Sequence, residues 1–317
     1  MNVMIASCAV LAVLGGAGLV AAQTAPAAPR PGTAAPKAGT APPQGIAPVA
    51  PAAAAPAPAV NPVVFPHLHL HVKDLAASRT FWVGSLGGTP VKVSTGEAIK
   101  FPGGFVFLQP IAPKGGSKGS VVDHVAFEVR NIRETVAAVK KAGFMMATRA
   151  ETNSVYVVTD DVAFLPDRAT FSAVAIGPDE MSVELIENKK LATPIAFRHI
   201  HFAASDVTSM KDWYVKALGA RVGARGFGFE GLDFGSKAGV LMFTLAGDKV
   251  VGTEGRVGDR IGFEVRDLAP LAKKLERLGA KVTRPYGKST DTNAMSVVLT
   301  DPWGTSIELT EGLNALN

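Results

Sequence analysis

Apolar and polar residues alternate with period two over four separate stretches of this chain. Phe65 to Asp74 reads Phe-Pro-His-Leu-His-Leu-His-Val-Lys-Asp, with His67, His69 and His71 on one face and Leu68, Leu70 and Val72 on the other. The unit recurs as His124 to Asn131, His199 to Asp206 and Arg260 to Asp267, and each time the first residue precedes an Asp or Asn by seven positions. That Asp or Asn is suited to cap a helix. The period then lengthens to that of a helix, and each helix closes on a glycine: 74–87, 131–143, 206–219 and 267–279. Short alternating runs follow. They predict strands near 89–94, 96–101 and 104–109 after the first helix, and near 145–149, 154–159, 170–176 and 181–186 after the second. After the third they fall near 221–224, 227–235 and 239–245, and after the fourth near 281–285, 294–300 and 305–310. Residues 160–167 have no counterpart in the other units and form a local insertion.

The fold class is therefore α+β: four βαβββ modules, a unit doubled and doubled again. The cap-to-glycine interval is 13 in modules one and three and 12 in modules two and four, and Phe-Glu-Val-Arg recurs at 127–130 and 263–266. Odd modules thus match odd, and even match even. The sequence predicts two domains, 64–190 and 196–315, each with one concave mixed sheet.

The N-terminus is different. Residues 1–22 have the apolar core and small-x-small ending of a secretory signal, too short for a stable membrane span. Residues 23–63 are mostly Ala, Pro, Gly and Thr, the composition of a disordered linker. A signal followed by a tether predicts a periplasmic or cell-envelope protein. Cys8 is the only cysteine, so removal of the signal leaves no thiolate ligand, disulfide or cysteine nucleophile. The formal charge of +5 is not concentrated in any Lys/Arg run, so no nucleic-acid partner is implied. A small molecule is the expected partner, and the protein is expected to be a monomer or homodimer.

All six histidines lie on the first strands of modules one to three, which directs attention to a site there. Glu184 and Glu308 fall at matching positions of the last strands of the even modules. The βαβββ repeat, the leading His, the capping Asp, and the closing Asp301-Pro-Trp-Gly-Thr-Ser-Ile-Glu-Leu together resemble the vicinal oxygen chelate superfamily. Glyoxalase I, extradiol dioxygenases, fosfomycin-modifying enzymes and bleomycin-binding proteins belong to it. The resemblance implies two glyoxalase/dioxygenase-like domains with a metal in a trough between paired modules.

Carried over by position, it implies His67, His124 and Glu184 as metal ligands in the first domain. The metal would be divalent, with Fe2+ favoured and Mn2+, Zn2+ or Ni2+ as alternatives. A fourth, acidic ligand is usual in glyoxalases; here Gln109 stands at that position, which points to a three-ligand site of the extradiol-dioxygenase kind. His69 and Tyr156 are the catalytic candidates, and Gln109 and His71 the substrate-binding ones. The second domain offers His199, Arg260 and Glu308. A guanidinium stays protonated and repels a cation, so this reads as a degenerate site able to hold an anion. The implied function is that of an exported metal-dependent enzyme, a dioxygenase or lyase acting on a small oxygen-chelating substrate. The competing reading is a non-catalytic binding protein of the bleomycin-resistance kind.

Overall fold

The computed structural model describes residues 63–152, 156–166, 169–226, 229–234, 239–246 and 249–316. The signal and nearly all of the linker lie outside them. Val63 does not: it begins the first strand, is 3% exposed and pairs with Val265, because its aliphatic side chain continues the buried face of Leu68 and Leu70.

Module one comprises β1 (Val63–His71), a helix (α1, Leu75–Arg79, running on as a π-helical turn, Thr80–Ser85), β2 (Thr89–Val91), β3 (Glu97–Phe101) and β4 (Gly104–Gln109). Module two has β5 (Val122–Val129), α2 (Ile132–Lys141), β6 (Met145–Met146), α3 (Thr148–Glu151), β7 (Val158–Thr159), β8 (Val162–Leu165), β9 (Thr170–Ile176) and β10 (Ser182–Glu187). Module three has β11 (Ile195–Ala204), α4 (Val207–Leu218), β12 (Arg221–Gly226), β13 (Phe229–Asp233) and β14 (Val240–Leu245). Module four has β15 (Gly258–Val265), α5 (Leu268–Arg277), β16 (Lys281–Lys288), β17 (Met295–Thr300) and β18 (Ser306–Glu311).

Local chemistry explains most of these boundaries. Asp74 Oδ1 accepts from the amides of Ala76 (2.7 Å) and Ala77 (3.2 Å), and Asn131 and Asp206 cap α2 and α4 in the same way. The glycines closing the four helices, 87, 143, 219 and 279, all have positive φ. The π-helical turn lets adjacent Phe81 and Trp82 both face the core, at 0% and 1% exposure. In module two the strand expected at 145–149 shrinks to β6 before α3, and of the strand expected at 154–159, whose first two residues lie outside the described ones, β7 is formed. Thr148 is the reason: its hydroxyl donates to Asp161 O (2.6 Å) and accepts from Val174 N (2.9 Å), turning the chain there. The insertion supplies β8, which adds to the outer side of β9.

The module pairing differs from the expected one. The first sheet runs β16-β17-β18-β15-β1-β4-β3-β2 and joins module four to module one. The second runs β12-β13-β14-β11-β5-β10-β9-β8-β7, with β6 on β9, and joins module three to module two. Both sheets thus cross the predicted boundary between 190 and 196. Consecutive modules meet instead through their helical sides. Phe81 packs on Phe144 (4.9 Å between ring centroids) and Trp82 on Phe127 (6.0 Å), while Trp213 Nε1 donates to Leu278 O (2.7 Å) and Tyr214 to Asp301 Oδ2 (3.0 Å). Connection length decides the arrangement. The short link 188–194 keeps modules two and three in one sheet. The longer links 110–121 and 246–257 cross between sheets and run side by side, with Val121 N on Val251 O (2.9 Å) and Val251 N on Gly119 O (3.0 Å).

Candidate metal centre

This pairing regroups the predicted site. The first strands that meet are β11 with β5, where His201 lies opposite His124 and His199 opposite Ala126. β10 runs beside β5 and sets Glu184 next to Ala126. Side chains two apart on a strand share a face, so His199 and His201 stand together over the sheet beside His124 and Glu184.

Glu184 Oε2 lies 3.6 Å from His124 Nε2 and 3.5 Å from His199 Nε2. Ligand atoms bonded at about 2.1 Å to one tetrahedral ion sit about 3.4 Å apart, so this spacing fits a single metal. His124, His199 and His201 each bring a ring nitrogen within 4.8 Å of the others. Supporting contacts fix the set. Ser172 Oγ donates to Glu184 Oε1 (2.9 Å), leaving Oε2 for the centre. Asp123 Oδ1 holds His124 Nδ1 at 2.6 Å, which aims Nε2 inward; Nε2 is buried with no hydrogen bond. Lys118 Nζ donates to both oxygens of Asp123, to Oδ1 at 2.9 Å and to Oδ2 at 3.1 Å.

The electrostatics favour a cation here. Burial lowers the His124 pKa, but the hydrogen bond to Asp123 and the negative charges of Glu184 and Asp123 outweigh it and raise it to about 9. Burial opposes ionisation of Asp123, yet His124 and Lys118 hold its carboxyl below the usual carboxylate range. His201 is pushed down to about 3 by burial and the neighbouring His124, and is neutral. Its Nε2 is hydrogen-bonded to Thr244 Oγ1. Thr244 occupies in β14 the place Gln109 has in β4, opposite Ala203 as Gln109 is opposite His71. The position expected of a fourth, acidic ligand therefore holds a neutral hydroxyl at this centre.

His67 does not join His124 and Glu184. It lies in the other sheet, opposite Gly262, fully buried, with Nδ1 3.0 Å from His69 Nε2 and Nε2 3.1 Å from Thr310 Oγ1. The cause is Gly262. A Cβ there would lie 1.9 Å from the His67 ring, so only glycine lets the imidazole fold down onto β15. At the equivalent place in the second sheet Ala126 carries that Cβ. His199, assigned from sequence to the degenerate site, thus stands with His124 and Glu184, and His67 takes its place in the trough of Arg260 and Glu308.

That trough also holds the other two assigned residues. Arg260 lies opposite His69 as His124 lies opposite His201, and Glu308 lies beside Gly262 as Glu184 lies beside Ala126. Glu308, 1% exposed, is paired with Arg284, with Arg260 Nε (3.4 Å) and with His69 Nε2 (3.1 Å). Burial first, and with it the positive charge of Arg260, keeps His67 and His69 neutral. His69 therefore lies with Arg260 and Glu308 and is not brought to His124, His199 and Glu184. His71 faces the same trough, 3.6 Å from Asp259 Oδ2. Gln109 is tied up structurally, its Nε2 donating to Asp291 Oδ2 (3.1 Å). Tyr156 precedes β7, four strands from β5 and so about 19 Å away at the usual strand spacing; it cannot reach the metal set. Sequence reasoning missed His201, Thr244, Asp123 and Ser172. The repeated His-x-His at 67–69 and 199–201 was the signal for the first of these.

Residues 196–309 match the model of the "Glyoxalase/Bleomycin resistance protein/Dioxygenase superfamily". Glyoxalase I from Zea mays superposes with a TM-score of 0.61 at 16% identity, over 79% of this chain and 92% of that one. A putative dioxygenase from Bacillus subtilis subsp. subtilis str. 168 superposes with a TM-score of 0.57 at 12% identity, over 80% and 86%. These likenesses concern the fold. No curated protein matches the sequence. Residues 196–309 thus match the superfamily's model, and the chain as a whole has the four-module βαβββ fold that these solved structures share.

Proposed function

We propose that this protein is a metal-dependent enzyme acting on a small oxygen-chelating substrate, with a three-ligand centre of the extradiol-dioxygenase kind. One observation carries the reading: two imidazole Nε2 atoms converge on one carboxylate oxygen at 3.5 and 3.6 Å. His124, His199 and Glu184 would hold the ion. Two histidines and a carboxylate with open positions suit Fe2+, with Mn2+, Zn2+ and Ni2+ as competitors. When bound, the metal polarises chelated oxygen atoms and, if it is Fe2+, supports chemistry with dioxygen.

The chain's own residues supply the rest. Ser172 and Asp123 orient the ligands. His201, neutral and steadied by Thr244, would orient a substrate oxygen beside the ion. One chain provides both halves of each trough, so a monomer suffices. The signal-like residues 1–22 and the Ala/Pro tether support export to the periplasm or envelope. Among the described residues no helix is long and apolar enough to cross a membrane.

Metal analysis after reconstitution tests the reading. Wild type is expected to hold one equivalent per chain, His199→Ala and Glu184→Gln none, and His67→Ala one. Loss of metal in His67→Ala, with retention in His199→Ala, would overturn it. A centre that binds metal but consumes no dioxygen with any vicinal diol would instead favour the non-catalytic binding protein.

A further inference from the structure

We propose that the trough of the first sheet is a second ligand site, independent of metal, that takes a small organic carboxylate. A cavity of about 410 Å³ opens there over strands of modules one and four, its walls including His71, Lys114, Arg260 and Arg284. That volume is in the usual range for small-molecule sites.

Arg260 is the anchor. Its side chain is 16% exposed, yet its hydrogen-bonding capacity is largely unspent. Nε is buried and makes no hydrogen bond but faces Glu308 Oε2 at 3.4 Å, Nη1 is 3.5 Å from Asp259 Oδ2, and Nη2 is 3.4 Å from His69 Nδ1, so the two Nη groups keep donors to spare. A guanidinium has five donors in a fork matched to a carboxylate. His71 Nδ1, on the same cavity, is also buried without a hydrogen bond. A buried ring nitrogen without a partner on a cavity needs a polar ligand or water. Arg284 is engaged with Glu308 and Ser296, and adds positive potential rather than free donors. Lys114, on the connection above the trough, has no ion-pair partner among the described residues.

The acids set the class. Asp259 and Glu254 also line the cavity, and Glu308 lies beneath it. Three carboxylates against Arg260, Arg284 and Lys114 leave no net formal charge, which disfavours a dianionic phosphate. A monoanion that spends the free donors of Arg260 fits better. Ile111, Ala112 and Val298 offer apolar wall for its organic body.

The test is calorimetric titration of the full chain in excess chelator, so that the centre in the second sheet holds no metal. Failure here would therefore leave the metal reading standing, and failure of that reading would leave this one. The probes are benzoate and pyruvate, with benzamide as a neutral isostere and inorganic phosphate as comparator. Saturable millimolar or tighter binding of a carboxylate is expected, with none for benzamide. Arg260→Met should weaken it about tenfold, the loss of one charge-assisted hydrogen bond; Lys114→Ala should weaken it less without touching the fold, as a thermal melt of each variant will show. No saturable binding of either carboxylate overturns the proposal. So does binding unchanged in both variants, or phosphate bound as tightly as the carboxylates.

Discussion

Replacing Gly262 by alanine should be costly, although the backbone there tolerates any residue. The φ of Gly262 is not in the left-handed region. An alanine would ordinarily stabilise such a strand position by about 0.5–1 kcal/mol, by restricting the unfolded chain. The obstacle is one ring. The new Cβ would lie 1.9 Å from Cε1, 2.2 Å from Nδ1 and 2.4 Å from Nε2 of His67. Contact distance for such atoms is about 3.5 Å, so the imidazole must retreat about 1.5 Å. It has nowhere to go in place: it is 0% exposed and packed edge-on against Phe107 at 5.6 Å.

The ring must therefore rotate out, losing its hydrogen bonds to Thr310 Oγ1 and His69. Two net hydrogen bonds at about 1 kcal/mol each, plus about 1–3 kcal/mol for overpacking, less the backbone gain, give a net cost of about 2–4 kcal/mol. Urea denaturation of wild type, Gly262→Ala, His67→Ala and the double variant measures this. With the ring already gone, Gly262→Ala should be neutral or mildly stabilising, so the cycle should show a coupling of about 2 kcal/mol or more. A cost below about 0.5 kcal/mol for Gly262→Ala, or additive single variants, would refute the argument that glycine is what lets His67 fold down.

Three further outcomes are expected. Asp123→Asn, which keeps the shape but weakens the orientation of His124, should lower metal affinity about 10–100-fold in a competition titration with a chromophoric chelator. Asp301 is raised above the usual carboxylate range by burial, with the amides of Trp303 and Thr305 and the Tyr214 hydroxyl opposing. An acid raised in the folded state gives stability below its unfolded pKa that is lost as pH rises through the folded value. The stability of wild type relative to Asp301→Asn should therefore fall as pH rises from about 4, read from melts across pH. Arg260→His alone should create no second metal site, because His67 is folded onto β15 and Arg284 still holds Glu308. Arg260→His with Gly262→Ala and Arg284→Met should gain a second equivalent by metal analysis.

The modules were legible because their signals are local. The alternation of β1, the caps at Asp74, Asn131 and Asp206, and the glycines closing each helix follow from periods and from φ. Pairing was not local. Alternation shows which face of a strand is buried but not which strand lies beside it, so His67 and His199 were interchangeable on pattern alone. The clue was connection length: the short link 188–194 against the longer 110–121 and 246–257. Tyr156 was taken for a site residue because nothing in the sequence reveals how many strands separate β7 from β5. Thr244 was missed because a hydroxyl looks unremarkable until the register sets it at the end of β14, against His201.

The two troughs are two solutions to one electrostatic problem. Each buries a glutamate on the last strand of an even module, Glu184 in one sheet and Glu308 in the other. A buried carboxylate needs a positive partner close by. In the second sheet His124 carries a proton between Asp123 and Glu184, a charge that a divalent ion can displace while the imidazole remains as ligand. In the first, Arg260 stands at the His124 position and Arg284 reinforces it, so the compensating charge is covalently part of the chain and cannot leave. Gly262 completes the difference, because it removes the remaining imidazole from the trough while Ala126 keeps His199 upright. A metal would have to displace two guanidinium groups and recruit a folded-down histidine to enter the first trough. An external anion need only meet the donors that Arg260 leaves unspent. On the proposed reading the same fold would present an exchangeable cation site on one sheet and a fixed cation on the other, with the residues at 124/260 and 126/262 setting the difference.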